Sequence, residues 1–267
     1  MLSRQQIEQF DADGFIHGGP CLDADGVEEL CGELERVIAD HGKPGVRQPT
    51  LLRNLLGVEA PVQDTAVWQV VNIWLASSPY RRLLENPKIT EEIAQLTRAR
   101  SLRVWHDQIQ YKPADVGGVN MWHQDAPLWP VLHPMNEVSA WVALDDVDES
   151  NGCMSMVPGS HRWGNQIGYL HELGGFDAMP ESFDGHDVRV VRRPVRKGEV
   201  HYHHALTWHG SHANTSGRPR RAIAIHYMPK GTRFVASGEH PIKHLIDVPD
   251  GAPVKGPNFP LCYTRTE

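Results

Sequence analysis

Several things are missing from this chain, and each absence excludes a class. No apolar run approaches the ~20 residues of a membrane-spanning helix, so no membrane partner is expected. The opening, MLSRQQIEQFDADGF, lacks the apolar core of a signal peptide. The four cysteines, Cys21, Cys31, Cys153 and Cys262, form no CxxC pair. That excludes a ribbon-type zinc site and a redox dithiol, and it points to a reducing, cytoplasmic location. Positive charge is also scarce. Lys and Arg number 26 against 33 Asp and Glu, for a net charge of −7. A nucleic-acid partner is not expected without a basic surface. There is no internal repeat, low-complexity tract or clear linker, so residues 1–267 are read as a single domain.

What is abundant is histidine, 16 residues, and tryptophan, 8. The first 100 or so residues read as mostly helical. Ser3 caps a short helix to residue 10, and a short strand follows at Phe15-Ile16. From Asp23, the residues Val27, Leu30, Leu34, Val37 and Ile38 recur at helical spacing, with Gly42 beyond the end. The motif DADG occurs at Asp11 and Asp23, but neither copy has the later oxygen ligands of a calcium loop. Both read as turns and caps. Residues 66–98 read as two helices broken near Ser78-Pro79 and Pro87. From Leu102 the texture changes to short strands between Gly, Pro and Asn turns, up to about residue 230. The tail, 231–267, reads as irregular. The expected fold is mainly β with flanking helices: a jelly roll, or double-stranded β-helix, under an N-terminal helical layer. Parts of residues 43–64 and 164–187 are long enough for a lid.

The chemistry starts at MWHQDAPLWP. His123 and Asp125 stand two apart, so on an extended strand they share one side and can hold a metal. A third ligand has to come from elsewhere. The densest source is HYHHALTWHGSHANTSGRPRR, residues 201–221, with five histidines. Spacing does not choose among them; context favours His209, where WHGS meets a glycine turn. Two histidines and a carboxylate form the facial triad of non-haem Fe(II) oxygenases. Downstream, Arg218, Arg220 and Arg221 offer a guanidinium that could clamp a carboxylate. On a strand through HDQIQYK, the residues His106, Gln108, Gln110 and Lys112 share one face. A polar row of that kind suits a wet cavity.

The motifs occur in an order that resembles the phytanoyl-CoA dioxygenase family. WHQD resembles its HxD motif, and AWVALDDVDESNGCMSMVPGSHRWG, from Ala140, its following strand pair. WHGSHANTSGRPRRAIAIHY resembles its distal histidine segment, and QFDADGFI its N-terminus. The resemblance runs from about residue 5 to 229. It implies a 2-oxoglutarate-dependent dioxygenase that uses Fe(II) and O2 to hydroxylate or otherwise oxidise an unactivated C–H of a small molecule, releasing succinate and CO2. It implies His123, Asp125 and His209 as iron ligands. Arg220, 11 residues after His209, would bind the far carboxylate of 2-oxoglutarate, assisted by Ser211. Lys112 and Trp141 match positions lining the cosubstrate pocket, with Gln108 and Gln110 close by. Trp129 is a candidate wall of the substrate pocket. A carboxylate at 125 argues against halogenation, since related halogenases carry a small residue there. Two alternatives stay open: a cupin-like isomerase or hydrolase with another divalent ion, and a non-catalytic ligand-binding jelly roll.

Overall fold

Local rules set the first elements. In the computed structural model, which describes residues 1–54, 68–115 and 117–265, the helix Arg4–Asp13 opens on a capping box. The Ser3 hydroxyl accepts from the Gln6 amide, and the Gln6 side chain returns the bond to Ser3. Gly14 ends the helix at φ +82°, a left-handed conformation that glycine adopts without strain. Asp23 caps the helix Ala24–Ala39 by accepting from Gly26. The two DADG copies thus close one helix and open the next.

Residues 68–98 depart from the two-helix expectation. Trp68–Val71 is a strand paired with Ser101–Lys112. Its aromatic and β-branched residues favour a pleated surface, and Asn72, at φ 57°, turns the chain out of it. Helices follow at Ser78–Leu83 and Pro87–Thr97. Pro79 and Pro87 start these helices rather than break them, because the first turn has no use for the missing N–H. Residues 66 and 67, like the 55–64 portion of the expected lid, lie outside the described residues.

The strands form two main antiparallel sheets. The larger runs in the order Phe15–Pro20, Glu199–His204, Val138–Ala143, Arg220–Pro229, Ser101–Lys112, Trp68–Val71, Leu51–Asn54. The smaller runs Val191–Arg193, Met154–Met156, His209–Ser211, Asn120–His123. The jelly-roll expectation holds, although the helical half contributes three strands to the larger sheet. That sheet is two-faced because side chains alternate. Val138, Ala140, Val142, Ile223, Ile225 and Tyr227 point to the helices and join Leu30, Leu34, Ile89 and Ile93 in the main core. Each buried Val, Leu or Ile side chain among them contributes about 1.5–3 kcal/mol. The other face is polar and looks at the smaller sheet.

The tail is not simply irregular. Leu261–Thr264 adds a strand beside Ser101–Lys112. Phe234, Ile242, Val254 and Phe259 pack around Trp105 and Trp129 in a second core. No residue of 164–187 lines the cavity described below. Leu170 and Phe176 pack on Trp122 and Trp208, on the outer side of the smaller sheet. The Trp122 indole donates to the Phe176 carbonyl at 2.8 Å.

Candidate metal centre and anion pocket

Antiparallel register brings the two histidines together. His209 lies directly opposite His123 across the smaller sheet, with ring centroids 4.1 Å apart. Asp125 follows two residues after His123, just past the strand end. Its Oδ1 is 3.7 Å from His123 Nε2 and 3.6 Å from His209 Nε2. One donor atom from each of the three lies within 4.8 Å of the others, the one such group among the described residues.

Neighbouring atoms orient each ligand. His123 Nδ1 sits 2.8 Å from the Met121 carbonyl, and His209 Nδ1 2.9 Å from the Thr207 carbonyl. A carbonyl only accepts, so Nδ1 carries the proton in both rings and Nε2 keeps its lone pair toward the centre. Burial, then the nearby His209, pushes the His123 imidazole down to about 4. Burial also lowers His209. Both rings are therefore neutral, as a metal requires, at ordinary pH. For Asp125, burial opposes ionisation, but His209, His203 and His226 outweigh it and hold the carboxyl well below its usual range. The Asp125 oxygens are divided. Oδ1 faces the two ligand rings, while Oδ2 accepts from His203 Nε2 and from the Ser139 hydroxyl, each at 3.2 Å. Ser139 in turn accepts from His226 Nδ1 at 2.7 Å. Replacing Ser139 by alanine should lower divalent-metal affinity about 10-fold, the low end for loss of an outer-shell partner. Anaerobic competition with a metallochromic chelator reads this directly; unchanged affinity would show that the serine does not position Asp125.

Behind the triad the polar face of the larger sheet forms rows. His203, Ser139, His226 and His106 make one row; Trp141, Ala224 and Gln108 the next. Ala143, Ala222 and Gln110 follow, and Arg220 faces Lys112 in the last. The alanines leave a low floor between triad and guanidinium. The resulting cleft is lined by all three triad residues and by Gln108, Gln110, Trp141, Ser211 and Arg220.

Arg220 is 1% exposed and has no carboxylate partner among the described residues. Its guanidinium lies 5.7 Å above the Trp141 ring. Nη2 donates to Ser211 at 3.2 Å, Nη1 reaches the Gln110 carbonyl at a long 3.4 Å, and Nε has no partner. Burial brings its pKa down to about 10, so it stays charged. Lys112, fully buried, donates to the same Ser211 hydroxyl at 2.8 Å. With both lone pairs of that oxygen engaged by N–H donors, its proton is free for a ligand. A buried guanidinium, a buried lysine and unspent donors converge where no protein anion stands. Such an arrangement is costly unless an anion completes it.

The sequence reading brought His123, Asp125, His209, Arg220, Ser211, Trp141, Gln108 and Gln110 into this one cleft, with Lys112 immediately behind Ser211. Trp129 is elsewhere. It lies behind His226, at 4.6 Å between ring centroids, inside the second core and off the cleft wall. Arg218 pairs with Asp148 and Arg221 with Asp145, both away from the cleft. His204 packs against His161 with the rings tilted, centroids 5.4 Å apart. Ser139, His226 and Asn120 were not singled out beforehand. Strand parity with Trp141 and Arg220 would have found the first two; Asn120, which bonds Gln110 across the sheets, carries no such signal.

The Phytanoyl-CoA dioxygenase (PhyH) family model matches residues 10–222. The peroxisomal phytanoyl-CoA dioxygenase of Bos taurus is 24% identical over 260 residues, covering 93% of this chain and 76% of that protein. Ectoine dioxygenase of Bordetella parapertussis is 25% identical over 241 residues, covering 85% and 75%. Among solved structures, the non-heme alpha ketoglutarate dependent carbocyclase SnoK from nogalamycin biosynthesis matches with TM-score 0.75 and 28% identity, over 97% of this chain and 96% of that one. The epimerase SnoN from the same biosynthesis matches with TM-score 0.73 and 26% identity, over 97% of both chains.

Proposed function

The chain belongs to the phytanoyl-CoA dioxygenase family of iron- and 2-oxoglutarate-dependent oxygenases, and from that premise we propose that it oxidises an unactivated C–H bond of a small molecule. His123, Asp125 and His209 hold Fe(II), a metal that suits a mixed nitrogen and oxygen donor set without thiolate. Bound there, iron with 2-oxoglutarate and O2 supplies the oxidising power, with succinate and CO2 as the co-products. The protein's residues do the rest. Arg220, with Ser211 and Lys112, takes the far carboxylate of 2-oxoglutarate, and Ala222 and Ala224 leave room for its carbon chain. Trp141 shields the guanidinium from water, which strengthens its hold on an anion.

The observation that carries this reading is the buried, anion-seeking Arg220 in the same cleft as the triad. A cupin-like isomerase or hydrolase has no use for it. A coenzyme A ester is less favoured as substrate than a smaller molecule. Arg81 and Arg82, which could have formed a basic landing patch, are paired with Glu85 and Glu29. No helix among the described residues is long and apolar enough to cross a membrane. The free cysteines fit a cytoplasmic location.

The test uses anaerobic, metal-free protein loaded with Fe(II) and titrated with 2-oxoglutarate. The weak visible charge-transfer band that iron and 2-oxoglutarate give together should appear in the wild type and vanish in His123→Ala. A folded, iron-loaded wild type without the band would overturn the proposal and favour the cupin-like alternative.

A further inference from the structure

The anion pocket holds one more basic group than a single carboxylate needs. Lys112 Nζ has two acceptors in reach: the Ser211 hydroxyl at 2.8 Å and the His212 carbonyl at 2.6 Å. A neutral amine has two N–H donors and satisfies both. An ammonium has three, and the third would be buried without an acceptor. Arg220, directly opposite on the next strand, is the charged group that acts on Lys112 among the described residues. From the distal-histidine strand the neighbours are Ser211 and His212. The His212 ring turns away toward Asp177, 3.7 Å off. No carboxylate among the described residues compensates a charge on Lys112. Burial first, then Arg220, lowers this lysine to about 6.

We propose that binding of the far carboxylate of 2-oxoglutarate draws a proton from solvent onto Lys112, so that cosubstrate binding is coupled to proton uptake. This rests on the 2-oxoglutarate reading above. The incoming oxygen supplies the missing acceptor for a third N–H and the missing negative charge beside two basic groups. The proton adds to the Nζ lone pair, and no other bond forms or breaks. The sign follows from linkage. The complex binds more protons than the free protein, so affinity falls as pH rises. The fall begins above the free lysine's value, about 6, and ends above the raised value in the complex. Its steepest slope approaches about 10-fold per pH unit.

The experiment is anaerobic calorimetry of Fe(II)-loaded protein with 2-oxoglutarate near pH 7, in buffers of differing ionisation enthalpy. It is repeated at pH 5, where the lysine is already charged. The charge-transfer band serves as an independent readout of binding. The wild type should take up a substantial fraction of a proton near pH 7 and almost none at pH 5. Lys112→Met should bind more weakly without uptake. Lys112→Arg, charged throughout, should bind without uptake and with a flatter pH profile. Binding without uptake in the wild type, or uptake that persists in Lys112→Met, would overturn the coupling while leaving the 2-oxoglutarate reading intact. No heat and no band at any pH would overturn both.

Discussion

Asp125→Asn should leave the protein folded and cost it its metal, with Fe(II) affinity down by more than about 100-fold. Loss of an outer partner alone costs about 10- to 100-fold, and here a ligand loses its charge. The geometry shows why the near-isosteric change is not tolerated. Asp125 uses both oxygens: one toward His123 and His209, the other for His203 and Ser139. Asparagine has one oxygen. If it stays on the metal side, the amide NH2 replaces an acceptor, so Ser139 loses the bond it donates and His203 must change tautomer. If it turns back, the NH2 faces the metal. Either way one requirement fails. The fold has less at stake, because the core beneath the larger sheet does not include this side chain. Anaerobic metal titration with circular dichroism alongside reads both expectations. Unchanged affinity in a folded variant would show that the triad is not the metal centre.

Much of this site was legible because its parts lie on strands, where parity is a strong rule. The HxD pair and the polar row from His106 to Lys112 were read from alternation, whereas Arg220 was chosen by the family's spacing after His209. The choice of His209 over His203 did not follow from parity. It came from the glycine turn after His209 and from the family resemblance. In the structure His203 sits one step back, holding Asp125 instead of a metal. Trp129 was misplaced for a related reason. It follows Asp125 closely in sequence, but the short helical turn Ala126–Leu128 swings it behind the triad. Pattern reading also missed the strand Trp68–Val71. A four-residue strand spans barely one helical turn, too short to show a period, and is specified by its partner, Ser101–Lys112, more than by itself. The tail is a similar case. Its apolar residues follow no period because they fill a gap around Trp105 from irregular backbone, so their purpose is visible only once packed.

Arg220→Met should separate stability from function, because one side chain bears on both with opposite sign. In the free protein the buried guanidinium lacks an anion and leaves Nε unpartnered. Methionine, apolar though shorter, removes that cost of about 1–3 kcal/mol. It gives up the bonds to Ser211 and, at 3.4 Å, to the Gln110 carbonyl, and the contact of the guanidinium with the Trp141 ring. The variant should therefore melt at or above the wild-type temperature when no ligand is present. With 2-oxoglutarate the order should reverse. Truncating one partner of a buried, hydrogen-bonded charge pair costs about 2–5 kcal/mol, which is roughly 30- to 5,000-fold in affinity. At a concentration near 100 times its dissociation constant, the ligand adds about 2.7 kcal/mol to wild-type stability, and the variant gains little from the same amount. Thermal melts of the Fe(II) protein with and without 2-oxoglutarate test both halves. A variant destabilised without ligand yet still stabilised by 2-oxoglutarate would make Arg220 a packing residue and move the carboxylate site elsewhere. An inversion of the melting order would show that the free protein carries an unfavourable charge that its cosubstrate completes.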